Sequence, residues 1–256
     1  MPTDEVEANL RHFTTAGTRS AACTSLVLSG VGVAGREDLH ALCASARSRG
    51  VQRITLHAGV EDLERIVPNA LPVDVLVLPL QPGESGATLA AGARALANAR
   101  EAGIAVAANA SLTPENVRSL AAIGRVAVAG RASSITFTFP FPVDGAHASD
   151  VVPAPRAVAA LREVVPAVAR AGIQVTIKGL PACYLGELAA HTSRTANRWY
   201  VDADHQLDRA LLFFPDVVAF HKDEACRFCP SNEACDGFFA NYLRRPGFPP
   251  LRPVGG

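Results

Sequence analysis

Cys226, Cys229 and Cys235 lie within ten residues in the spacing C-x2-C-x5-C. A two-residue gap lets two thiolates of one turn reach the same metal. A tetrahedral zinc or a four-iron cubane needs a fourth donor, and Cys183, between Pro181 and Gly186, is the leading candidate. It follows a predicted strand, in a loop able to reach the C-terminal region. His221, five residues before Cys226, is the alternative, because three cysteines and one histidine also hold zinc. The bland readings are reduced surface thiols, or a redox pair made by Cys226 and Cys229. Three cysteines grouped this tightly, with a fourth in a Pro/Gly loop, favour a metal. Zinc and iron–sulfur sites share these thiolates, so the spacing leaves both open. Cys23 abuts a strand and Cys43 falls on the apolar face of a helix, so both read as small buried hydrophobes.

The elements that must position this cluster are βα units. Short β-branched runs alternate with Ala/Leu/Arg-rich segments, the pattern of strands feeding a parallel sheet. Six strands are expected, over Thr24–Gly30, Arg53–Gly59, Val73–Leu80, Ile104–Ala110, Ser134–Phe141 and Ile173–Gly179. Helical spacing is clear in Leu39, Leu42, Cys43 and Ala46, and again in Val158, Leu161, Val165 and Val168. Thr113, Pro114 and Glu115 read as an N-cap with proline at the first helical position. The expected fold is α/β, a partial parallel (β/α) barrel of about six strands with a small C-terminal cysteine-rich lobe. Residues 1–23 form a helical lead-in, 24–179 the partial barrel and 180–256 the lobe that carries the metal.

The 256 residues are 49% hydrophobic and only 19% charged, which supports a sizeable core. Lys+Arg and Asp+Glu both number 24, a balance that points away from nucleic acid and anionic membranes. The opening MPTDEVEANLRHF lacks the basic start and apolar run of a signal peptide, and no stretch reaches the length of a membrane span. A cytoplasmic protein is the expectation, where cysteines serve as thiols or metal ligands rather than disulfides. A peptide or a small molecule fits this balance as partner.

Other residues carry weaker signals. His57 and Lys178 end predicted strands, where barrel-type proteins place catalytic groups. His57 reads more plainly as a hydrogen-bonded strand-end histidine; Lys178 suits an anionic substrate or a Schiff base. Asn109 and Glu84 occupy similar mouth positions. Phe213, Phe214, Phe220, Phe228, Phe238, Phe239 and Tyr242 crowd the last quarter, where they would shield the metal and form a small core.

Taken over nearly its whole length, the chain resembles the radical S-adenosylmethionine (radical SAM) proteins, especially those ending in an auxiliary-cluster region of the SPASM or twitch kind. LVLSG, a polar loop and REDLHALCASARSRGV resemble the family's second strand, glycine-rich loop and following helix, and RITLHAG the next strand. HKDEACRFCPSNEACDGFFANYLRRPGFPPLRPV resembles the auxiliary-cluster ending, with Cys226, Cys229, Cys235, Gly237 and Tyr242 in place. Where the longer pattern has a further cysteine stands Phe239, a departure that gives Cys183 more weight as fourth ligand and brings the motif closer to the shorter twitch-like variety. The resemblance implies an auxiliary [4Fe–4S] cluster, with zinc the alternative. The family's C-x3-C-x2-C, which binds the SAM-cleaving cluster, does not occur in this sequence. Gly30, Val31 and Gly32 replace its glycine–glycine–glutamate, and His57, Ala58 and Gly59 its asparagine turn; these changes weigh against SAM binding. The implied protein is a degenerate relative that serves an intact partner enzyme by binding substrate or passing electrons. The alternatives are a catalytic radical SAM enzyme whose N-terminal cluster segment lies upstream of this sequence, and a zinc-stabilised barrel.

Overall fold

A computed structural model describes residues 1–16, 22–59, 71–82, 87–141, 151–212 and 218–253. Glu84, Phe213 and Phe214 lie outside them. Among the described residues a six-stranded sheet runs in the order β1-β2-β3-β4-β5-β6, every neighbouring pair parallel. The strands are β1 (Ser25–Ser29), β2 (Arg53–His57), β3 (Val75–Pro79), β4 (Ala105–Ser111), β5 (Ser134–Thr138) and β6 (Gln174–Lys178). All six expected strands are present, most of them trimmed at the ends. The fifth stops at Thr138 rather than Phe141, two residues before Pro140, which has no N–H to continue a ladder. This is the partial β/α barrel that the sequence pattern implies.

Alternation along the strands divides the sheet into two faces. One face carries Leu56, Leu78, Val106, Phe137 and Ile177, all at or below 1% exposure. It packs under α2 (Leu39–Ser48), α3 (Ala87–Glu101), α5 (Leu120–Ala129) and α6 (Ala154–Arg170) as one hydrophobic core. The apolar stripes expected on α2 and α6 are the buried ones. The opposite, inner face is polar and half-buried, with Thr55, His57, Asn109, Thr136, Thr138, Thr176 and Lys178. Between β4 and α5, α4 (Pro114–Arg118) starts at Thr113, whose hydroxyl accepts the Asn116 N–H at 3.2 Å. The helix α1 (Thr3–Thr14) lies against α2 and is pinned through buried Asn9, whose side chain bonds Gln206 and the Leu207 N–H.

Beyond β6 come α7 (Ala182–Leu185) and two small antiparallel pairs, β7 (Trp199–Tyr200) with β8 (Leu211–Leu212), and β9 (Phe220–His221) with β10 (Phe238–Phe239). Leu185, Leu188, Phe238, Phe239, Tyr242 and Leu251 belong to the same continuous core as the sheet and helices. Among the described residues no helix is long and apolar enough to cross a membrane.

Candidate metal centre

Two separate stretches of chain supply the four cysteines. After Lys178 the chain turns at Gly179, where φ is +77° and a Cβ would lie 2.6 Å from the Phe139 carbonyl oxygen. Only glycine fits such a turn without strain. It delivers Pro181 and then α7, which carries Cys183. The Tyr184 hydroxyl donates to the Pro249 carbonyl and so draws the C-terminal tail across α7.

The other three cysteines occupy residues 222–237, the connection between β9 and β10. Asp223 caps a short 3-10 turn, Glu224–Phe228, by accepting the Ala225 N–H at 2.9 Å. Cys226 sits in that turn; its carbonyl accepts the Cys229 N–H at 3.1 Å, and the Cys229 carbonyl accepts the Asn232 N–H at 2.9 Å. These local turns are what a C-x2-C spacing demands if two sulfurs are to share one side of the loop. The Lys222 ammonium donates to the Asn232 backbone oxygen at 2.7 Å and to its side-chain oxygen at 2.9 Å. At the far end the Gly237 N–H donates to Cys235 Sγ at 3.3 Å. Gly237 has φ +90°, and a Cβ there would lie 2.3 Å from the His221 carbonyl oxygen.

The hairpin is seated on the barrel by aromatic rings. Phe238 and Phe239 are fully buried, and Phe238 packs on Tyr184, Phe248 and Phe139 at centroid distances of 5.3, 5.4 and 6.0 Å. Tyr242 stacks on Phe248 at 5.1 Å and donates to the Pro140 carbonyl at 3.2 Å. Phe220 packs on Phe239 at 5.0 Å. Phe228 departs from the expected shield: it is 77% exposed, with the Arg227 guanidinium 4.6 Å from its ring centroid.

As a result Cys183, Cys226, Cys229 and Cys235 all border one small pocket that opens to solvent, with Lys222, Asn232 and Gly237 in its wall. Leu251 and Pro253 of the tail close another side. His221 does not line it; its side chain is exposed. All four cysteines are half-buried free thiols. Burial pushes the Cys183 thiol up, a backbone hydrogen bond at Arg252 draws it down, and charge on Cys235 and Cys226 raises it again. A bound cation reverses that balance, since it holds thiols as thiolates. Among the described residues no three His, Cys, Asp or Glu side chains are placed to hold a single metal ion. The four cysteines share this pocket's lining. Cys43 is buried at 1% on α2, whereas Cys23, expected to be buried, is only half so.

At the mouth of the sheet, Lys178 pairs in register with Thr138, and Thr138 with Ser111. Its ammonium donates to the carbonyls of Ser193 and Arg194 at 2.8 and 3.2 Å, strapping that segment over the strand end. Burial pushes Lys178 down, Asp236 raises it and Arg198 lowers it. His57 is likewise lowered by burial and then by Arg198. Asn109 accepts the Thr138 hydroxyl at 3.1 Å. Asp236, next to Cys235, accepts the Thr195 N–H and so links the cysteine loop to the same segment. The sequence singled out neither Asp236 nor Arg198; nothing in their spacing marks them, since both act through chain folded from elsewhere.

No protein-family model matches the sequence, and no curated protein matches it. Among solved structures, anSMEcpe with bound AdoMet aligns over 93% of this chain and 76% of its own, at 11% identity and a TM-score of 0.59. SuiB of Streptococcus suis aligns over 69% of this chain at 12% identity and a TM-score of 0.51. The same protein bound to S-adenosylmethionine aligns over 77%, at 11% identity and a TM-score of 0.52. This chain spans less than half the length of those SuiB chains, 42% and 47%. What is shared is the fold, a partial β/α barrel built on a six-stranded parallel sheet.

Proposed function

We propose that this chain is a degenerate radical SAM-like iron–sulfur protein in which Cys183, Cys226, Cys229 and Cys235 bind an auxiliary [4Fe–4S] cluster. In this reading it serves as a substrate-binding or electron-transfer partner of an enzyme that cleaves SAM. The observation that carries it is the meeting of four thiols at one pocket, one from α7 and three from the β9–β10 connection. A zinc ion gathers its sulfurs to about 2.3 Å from one point. Four thiols bordering one pocket match in number the four irons of a cubane cluster, each held by its own sulfur. The Gly237 N–H on Cys235 Sγ adds a donor of the kind that tunes such clusters. When bound, the cluster supplies one-electron transfer.

The chain's own residues supply the rest. Lys178 and Asp236 tie the 193–195 segment between the sheet mouth and the cysteine loop, so a peptide or small molecule on the polar inner face would lie beside the metal pocket. The test is anaerobic reconstitution of the wild type and of Cys229→Ala, with metal and sulfide analysis and a visible spectrum. About four irons with matching sulfide, lost in the variant, is the expected result. A single zinc and no visible absorption would overturn the proposal.

A second reading is favoured by the fold shared with AdoMet-bound structures: SAM cleavage by a longer protein, with a three-cysteine segment outside this sequence. Binding of SAM to this chain, and release of 5′-deoxyadenosine under reductant only when that segment is supplied, would establish it.

A further inference from the structure

We infer that Lys222 is a positioning residue for the group held by the four cysteines, closing the loop between Cys229 and Cys235 and placing a positive charge at the edge of the thiolate pocket. The inference rests on the cluster reading above.

The geometry is specific. Lys222 immediately follows β9, so the antiparallel pairing of His221 with Phe238 fixes where its stem begins. The stem then runs beside Gly237, where a Cβ would lie 2.9 Å from Lys222 Cγ. At its end the ammonium takes both oxygens of Asn232, at 2.7 and 2.9 Å, midway between Cys229 and Cys235. One side chain therefore joins the start of the loop to its middle, while the Gly237 N–H secures Cys235 at its end. Both acceptors are neutral amide oxygens, so they leave the ammonium's charge uncompensated. The side chain is half-buried and lines the same pocket as the four thiols.

Four thiolates around one metal group concentrate negative charge, and adding an electron increases it. A cation at the pocket wall, in partly desolvated surroundings, favours the more negative, reduced state. Removal of that charge should lower the reduction potential. Loss of the two hydrogen bonds should loosen the loop and speed loss of metal.

Lys222→Arg keeps the charge, Lys222→Gln keeps a donor for Asn232 without the charge, and Lys222→Met keeps neither. Each is reconstituted anaerobically beside the wild type, and three quantities are read: iron content, midpoint potential by EPR-monitored titration, and the rate of iron release to a chelator. The expected potentials of Gln and Met fall by the equivalent of at least a tenfold change in the reduction equilibrium, about 59 mV for one electron. Arg stays near the wild type, and Met releases iron fastest. Unchanged potentials in Gln and Met overturn the inference. So does loss of iron in both neutral variants with a shifted potential in Arg, which reduces Lys222 to a support of the fold. A wild type that takes up no iron defeats the cluster reading itself, a separate outcome.

Discussion

Gly237→Ala tests whether the β9–β10 connection is held as tightly as the geometry implies. Gly237 sits at φ +90°, in the region L-residues enter only at a cost of about 1–2 kcal/mol. The new methyl would also lie 2.3 Å from His221 O, 2.9 Å from Lys222 Cγ and 3.1 Å from His221 C. The first and third of these are backbone atoms, so relief requires the strand pair to part, which as overpacking costs about 1–3 kcal/mol more. The expected destabilisation is about 2–5 kcal/mol. Gly50→Ala separates the two contributions, because Gly50 has φ +92° with nothing within 4 Å of the added carbon. It should show the backbone cost alone. The assay is urea unfolding of the metal-free proteins followed by the fluorescence of Trp199, the only tryptophan, with iron uptake measured in parallel. Gly237→Ala should unfold at lower urea than Gly50→Ala and take up less iron, since its N–H is the donor on Cys235 Sγ. Equal midpoints and equal iron content would refute the reasoning.

Cys183→Ser should lower iron from about four to about three per chain or fewer, whereas Cys23→Ser, away from the pocket, should leave it unchanged; metal analysis decides. The Asp38 carboxyl is held at about 2, first by the Arg36 hydrogen bonds and then by Thr3. Its folded value lies below the ordinary one, so its stabilisation is complete above about pH 4 and fades as pH falls towards 2. Asp38→Asn should therefore be less stable than wild type at pH 7, with a gap that closes across that window in pH-dependent urea midpoints. Arg198→Gln should raise the His57 pKa by removing a like charge, yet leave it below the ordinary histidine value, because burial is the larger cause. An NMR titration of His57 that does not move would place Arg198 elsewhere. Chelation of the loaded protein should expose the amides of residues 220–242 to hydrogen exchange while β2 to β5 stay protected; uniform loss across the sheet would contradict that order.

The barrel was legible because its period is local. Alternation in RITLH or SITFT and the 3.6-residue stripe of VAALREVVPAV are set by neighbours in sequence, and the burial pattern follows them residue by residue. Thr113-Pro114-Glu115 was equally plain, since a cap and its helix are contiguous. The short turns that aim Cys226 and Cys229 were likewise implicit in C-x2-C. The partners of that loop were not. Nothing in HKDEAC says that Lys222 will reach Asn232, or that Asp236 will accept the Thr195 N–H across 41 residues. Phe228 misled for a related reason: an aromatic beside two cysteines suggests a shield, but a 3-10 turn gives each residue its own direction, and Phe228 points outward under Arg227.

The seating of Phe238 and Phe239 would give metal binding at the proposed site a consequence for the whole C-terminal segment. These rings leave the cysteine loop and enter the barrel core directly, and Tyr184, one residue from Cys183, packs against Phe238. The residues that bring the thiols together are thus the ones that dock the hairpin. A metal bound to Cys183 and to the 226–235 group ties two points 43 residues apart, counting from 183 to 226, and so removes chain entropy from every undocked state. Its binding free energy would add to docking free energy, because an undocked hairpin offers three of the proposed ligands instead of four. The same coupling would act in reverse: a substitution in the aromatic seat would weaken metal affinity to the extent that it populates the undocked hairpin. On the proposed site, retention of metal would therefore report on the aromatic core as well as on the cysteines.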